Sequence, residues 1–243
     1  QEREGDPAVT ASPLEQAIAG DSTAVSTEFV KRQLVEALLR HDTAQADQVL
    51  AEAYTIFPLE NLVLDVIGPA LHDIGEEWHE GHVNVATEHL GTHYLRTRLL
   101  MWMRTGPPAY RVSPVVLACA PGELHEGSLL MIGVLLRRLR WPIVYLGQTM
   151  PINELPDFVN EVNPGVLVFV AMLEGPARAL AEWPRWLPEA ASSNRPVVTY
   201  GGRIFTENPE LADQVPGVLL GRTVREGIET LNRIMHELNP FAQ

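Results

Sequence analysis

The residues best suited to chemistry lie in one stretch, Pro121-Gly122-Glu123-Leu124-His125-Glu126-Gly127-Ser128. An apolar run, 115–120, precedes it and an amphipathic run, 129–140, follows. That pattern is strand, loop, helix. The loop has neither the G-x-G-x-x-G nor the glycine-lysine pattern of phosphate-binding loops. It offers an imidazole with a carboxylate two residues before it. Imidazole is the commonest protein metal ligand, and a carboxylate on its other ring nitrogen fixes the tautomer. We read His125 as the ligand of a metal presented by a cofactor, with Glu123 orienting it. The bland alternative is a structural or solvated loop histidine.

A second polar group comes earlier: His72, Trp78, His79, His82, Glu88, His89 and His93. Glu88, Thr92 and Arg96 are spaced to line one helix face, as are His89 and His93. Three readings fit. The group is a solvated helix surface with Trp78 in the core. Or His79, His89, His93 and Glu88 hold zinc or two metals. Or Trp78, Glu88 and His89 form a lid on the upper face of a ligand that His125 binds from below.

The elements that must carry these residues follow from periodicity. From residue 27, Val30, Leu34, Ala37 and Leu38 share a helix face; after His41-Asp42, so do Ala46, Val49, Leu50, Ala53 and Tyr54. Pro58 opens a third helix, which Gly68-Pro69 is expected to kink. After a polar stretch at 76–84, a fourth helix covers 85–103. Short loops between four helices predict an antiparallel bundle over 27–105. Gly106-Pro107-Pro108 marks the domain boundary. Strands are expected at 113–120, 142–146, 166–170, 196–200 and near 217–220, with helices at 126–140, 152–162, 173–188 and 222–238. This alternation predicts an α/β, flavodoxin-like, doubly wound parallel five-stranded sheet over 111–243. The His125 loop then sits at the switch point, where ligands bind, and Gly147, Val170, Gly201 and Gly202 end neighbouring strands on the same edge.

Composition narrows the classes. The net charge of −13, with Lys31 the only lysine, predicts no direct nucleic-acid binding by this chain. Cys119 is the only cysteine, so there is no internal disulfide and no cysteine-rich zinc site, as expected of a cytoplasmic protein. The apolar runs are too short to span a membrane and no signal peptide is visible. Residues 1–26, rich in Ala, Pro, Ser, Thr and acidic groups, read as a flexible tail or linker.

A helical bundle, then a flavodoxin-like domain with an acidic residue-x-His loop after its first strand, resembles the cobalamin-binding module. Methionine synthase, the corrinoid proteins of methyl transfer and CarH-type light sensors share that module. The usual loop is D/E-x-H-x-x-G; here Glu123, His125 and Gly127 place the glycine one position early, and Ser128 stands at its usual place. The serine usual at the third strand end is absent from Val170-Ala171-Met172-Leu173, and the final glycine pair is Gly201-Gly202. The bundle resembles CarH-type sensors in W-x9-E-H, here Trp78 and Glu88-His89, with His79 directly after the tryptophan. The resemblance covers about 27–238. It implies a light sensor that is not an enzyme, with adenosylcobalamin bound between the domains. His125 is then the lower cobalt ligand, and Glu123, Glu126, Gly127 and Ser128 belong to its loop. Trp78, Glu88 and His89 pack the adenosyl group, and His79 is the upper ligand after photolysis. The implied output is bundle movement that changes assembly, as a homo-oligomer (dimer or tetramer), or contacts with an effector. The winged-helix DNA reader of CarH proteins is missing from 1–26, either trimmed or naturally absent, as in stand-alone photocobilins, which also bind a bilin; noncovalent biliverdin is compatible with this chain. Two alternatives are a corrinoid carrier serving a separate methyltransferase and a zinc-binding bundle fused to an unrelated flavodoxin-like domain.

Overall fold

The computed structural model describes residues 26–193 and 195–242. The tail expected at 1–26 lies outside the described residues except for Ser26. The chain divides into two compact units, one ending at Tyr94 and the other beginning at Leu95.

The first unit is helical. Ser26 caps α1 (Thr27–Leu39) by accepting from the Phe29 amide at 3.1 Å. α1 buries Val30, Leu34, Ala37 and Leu38. His41, at φ 61°, turns the chain into α2 (Thr43–Ile56), which Asp42 caps through the Gln45 amide at 2.9 Å. α2 buries Ala46, Val49, Leu50 and Ala53, whereas Tyr54, expected on that face, is half exposed. α3 comprises Leu59–Asn61, a π-helical turn at Leu62–Ile67, and Gly68–His79. At Gly68-Pro69, where a kink is expected, the chain stays helical through a π-helical turn. Pro69 has no N–H to give, and the wide turn just before it absorbs the mismatch: the Gly68 amide reaches back to the Val63 carbonyl. Lys31, mostly buried, binds Asp73 at 2.8 Å and Glu28 at 3.0 Å, tying α1 to α3. α4 (Val85–Arg104) starts after Asn84, whose side chain accepts from the Thr87 amide at 3.0 Å. From Leu95 onward α4 belongs to the second unit.

The second unit is built on five parallel strands: β1 (Val115–Cys119), β2 (Ile143–Gly147), β3 (Val166–Val170), β4 (Val197–Gly201) and the short β5 (Val218–Leu219). Their order is β2-β1-β3-β4-β5. Alternate strand residues face opposite sides, so both faces must be covered. Leu117, Val168 and Val170 share one core with α5 (Gly127–Arg138), Trp141 and α12 (Val224–Leu238). Ala118, Phe169 and Tyr200 share the other with α6 (Leu155–Val162) through α11 (Pro209–Ala212). Trp141 is fully buried, which stabilises by roughly 2–3 kcal/mol, and its Nε1–H donates to Asn232 at 2.8 Å. The helix expected at 173–188 is three pieces, α7 (Glu174–Ala181), α8 (Trp183–Trp186) and α9 (Pro188–Ser193), because Pro184 and Pro188 each restart the helix. α10 (Arg203–Glu207) follows β4 directly. Among the described residues, no helix is long and apolar enough to cross a membrane.

Candidate functional site

The loop between β1 and α5 lies at the carboxyl edge of the sheet, where β1 is flanked by β2 and β3. It is braced from β2: the Thr149 amide donates to the Glu123 carbonyl at 3.0 Å, and Gln148 Nε2 to the Leu124 carbonyl at 2.5 Å. Glu123 is fully buried. Its Oε1 accepts from the His125 amide at 2.8 Å and from His125 Nδ1 at 2.6 Å. Its Oε2 accepts from the Met172 and Leu173 amides, just past β3, at 2.6 and 3.2 Å. Burial by itself raises the carboxyl pKa, but the hydrogen bonds from the His125 and Met172 amides and the His125 ring outweigh it and hold the group below the usual carboxylate range. The His125 side chain remains 63% exposed. With Nδ1–H spent on Glu123, the neutral ring carries its lone pair on Nε2. That is an oriented, accessible ligand for a metal.

At the ends of β3 and β4 lies a cavity of about 330 Å³ whose lining includes Ser128, Val170, Met172, Gly201 and Gly202. Ser128 Oγ is buried without a hydrogen-bond partner. The strand ends supply backbone rather than side chains there, and a Cβ on Gly202 would lie 1.9 Å from the Ala171 carbonyl oxygen. The orphaned hydroxyl is a hydrogen-bonding group that a ligand in this cavity could satisfy.

Sequence reasoning did not pair Glu126, Arg96 and Tyr145. Glu126 is 5% exposed; Oε1 accepts from Arg96 Nη2 and Oε2 from the Tyr145 hydroxyl. Gly127 is the first residue of α5, and Gly147, at φ 82°, ends β2 next to the Glu126 carboxylate. Burial and the neighbouring Glu126 and Glu123 carboxylates push the Cys119 thiol up to about 12, so it is inert at neutral pH.

In the first unit, Trp78 is 47% exposed, which removes the reading in which it fills the core. His79 beside it ends α3 and is exposed. Glu88 Oε1 accepts from Thr92 Oγ1 at 2.8 Å, and Oε2 pairs with His89 Nδ1 at 2.5 Å. His89 is largely exposed while Glu88 is mostly buried. His82 pairs with Glu77 and Glu80 and is not part of this pair. Among the described residues, no group of three or more His, Cys, Asp or Glu side chains is arranged to hold a metal ion, so the zinc alternative finds no site there.

Residues 30–101 match the family described as B12 binding domain. The chain is 33% identical over 141 residues to the HTH-type transcriptional repressor CarH of Myxococcus xanthus, covering 55% of this chain and 47% of that protein. It is 30% identical over 151 residues to the repressor CarA of the same organism, covering 58% and 51%. The chain thus spans about half the length of these relatives. The fold is similar to that of the monomethylamine corrinoid protein of Methanosarcina barkeri, with TM-score 0.66 and 12% identity, covering 86% of this chain and all of that one. The fold is therefore that of cobalamin-binding proteins. Over residues 30–101 the chain resembles a B12 binding domain, and over about half of its length it is distantly related to CarH and CarA.

Proposed function

We propose that the chain is a light sensor that binds adenosylcobalamin and is not itself an enzyme. His125 would hold the cobalt through Nε2, and Glu123 holds the ring so that the lone pair is presented. The nucleotide tail occupies the cavity at Ser128, Val170, Gly201 and Gly202, where the orphaned Ser128 hydroxyl gains a partner. Trp78, Glu88 and His89 would pack against the cofactor's adenosyl group, and the exposed His79 would be a second imidazole able to bind cobalt after photolysis. The bound cofactor supplies a cobalt–carbon bond that light can break. The chain's own response is a rearrangement of the helical unit that alters self-association or an effector contact.

The observation that carries the sensing role is the half-exposed Trp78 beside His79, with the Glu88–His89 pair ten residues on. An indole left in water at that position costs hydrophobic stabilisation, which a ligand's apolar surface would restore. A methyl carrier has no need of that indole.

The test reconstitutes the chain with adenosylcobalamin in the dark and records absorbance and sedimentation before and after green light. A spectral change that persists on return to the dark, together with a changed sedimentation coefficient, is expected. Trp78→Ala should keep the cofactor and lose the sedimentation change. Uptake of methylcobalamin with no lasting response to light would contradict the proposal and identify a methyl carrier. New far-red absorbance after biliverdin is added would assign a second chromophore to the same sensor.

A further inference from the structure

The carboxylate of Glu126 is buried beside the His125 loop. It precedes α5 at the N-cap position, yet its side chain makes no capping bond. It turns instead to Arg96 of α4 and Tyr145 of β2, one oxygen to each. Burial and the Glu126 carboxylate hold the Tyr145 pKa well above its ordinary value, so the phenol stays protonated as a donor. Arg96 is the only cation on this carboxylate in the described residues, and placing it there leaves Arg96 Nε buried without a partner. An orphaned donor is costly and is sustained only where the rest of the guanidinium is well used.

Three separate elements therefore meet at the residue that directly follows His125. One of them, α4, also carries Glu88 and His89. Glu88, Thr92 and Arg96 repeat at i, i+4 and i+8 on one helix face, and the Thr92 hydroxyl already binds Glu88. We infer that the Arg96–Glu126–Tyr145 contact is a latch that positions the His125 loop and makes that position depend on α4. Arg96 and Tyr145 are positioning residues, and the functional part of this inference rests on the cobalamin reading above. The contact suits this task because Glu126, only 5% exposed, cannot let go of Arg96 without leaving an uncompensated buried charge. A shift of α4 is then met by movement of the loop.

The test compares wild type with Arg96→Met, Glu126→Gln, the double variant and the milder Tyr145→Phe. Amide hydrogen exchange is measured at 121–130 in the cofactor-free chain, with β4 as an internal control. The latch predicts that each of the first two single changes speeds loop exchange on the order of tenfold or more while β4 keeps its protection. The double variant should be no worse than the worse single, and Tyr145→Phe should move the loop in the same direction by less. In chains loaded with cobalamin, the share of cobalt bearing a protein nitrogen should fall with the loop's protection. Unchanged loop exchange would overturn the latch. So would a loop and β4 that loosen together, with additive effects, because that is general destabilisation. If the loop loosens as predicted but wild type takes up no cobalamin, the cobalamin reading fails, and the latch has no ligand to position.

Discussion

Replacing Glu123 with alanine should destabilise the second unit by about 2–4 kcal/mol, read as a lower urea midpoint by tryptophan fluorescence. Four donors lose their acceptor at once: the His125 amide and ring, and the Met172 and Leu173 amides. Glu123→Gln should not rescue the loss. Its amide group presents N–H either to the two amides past β3 or to His125, so donor meets donor. The pH dependence follows from the depressed carboxyl pKa. A carboxyl held lower in the folded state than in the unfolded state contributes stability that is complete above the unfolded value, about 4.3. That contribution is lost as pH falls through the folded value. The alanine variant should therefore have a flatter acid limb than wild type. Equal urea midpoints for wild type and variant would show that the buried carboxylate holds nothing together.

Gly202→Ala should cost at least about 3 kcal/mol. Gly202 sits at φ 132°, a backbone region that side chains rarely adopt, and the added Cβ would lie 1.9 Å from the Ala171 carbonyl oxygen and 2.8 Å from its carbon. Backbone cannot step aside there, since the Ala171 amide is bonded to the Gly201 carbonyl at 3.0 Å and the next amide is held by Glu123. Gly201→Ala is the matched control. Its Cβ would meet only the Leu220 side chain, at 3.5 Å or more, so it should cost less than about 1 kcal/mol. Similar losses for the two variants would mean that the clash at Gly202 is relieved by a shift elsewhere.

Much of this was readable before any coordinates. Strict alternation of apolar strands with helical runs dictates a parallel sheet, and the loop after β1 must then open on the ligand edge. Glu123 and His125 are two residues apart, so their contact is local and follows from the loop. What the sequence did not disclose is what tertiary packing decides. Arg96, Glu126 and Tyr145 lie 19–30 residues apart in pairs that meet, and no short-range pattern joins them. Trp78 falls within the polar stretch at 76–84, and its exposure depends on which face the neighbouring helices leave uncovered. The Gly68-Pro69 pair signals an irregularity in the helix, but not its form, a π turn that ends directly before Gly68. Ser128 stands at the usual glycine position of the loop motif, and only the structure shows its hydroxyl buried and unpartnered.

The central claim is that His125 binds cobalt, and one measurement addresses it directly. The chain is prepared with nitrogen-15 throughout, loaded with unlabelled cobalamin, reduced to the paramagnetic cobalt(II) state, and examined by electron paramagnetic resonance. A nitrogen on the lower axial position splits the cobalt lines. If that nitrogen belongs to His125, labelling the protein turns each triplet into a doublet, and His125→Ala removes the doublet. A triplet that persists in the labelled protein would mean that the cofactor's own base remains on cobalt, and would contradict the account.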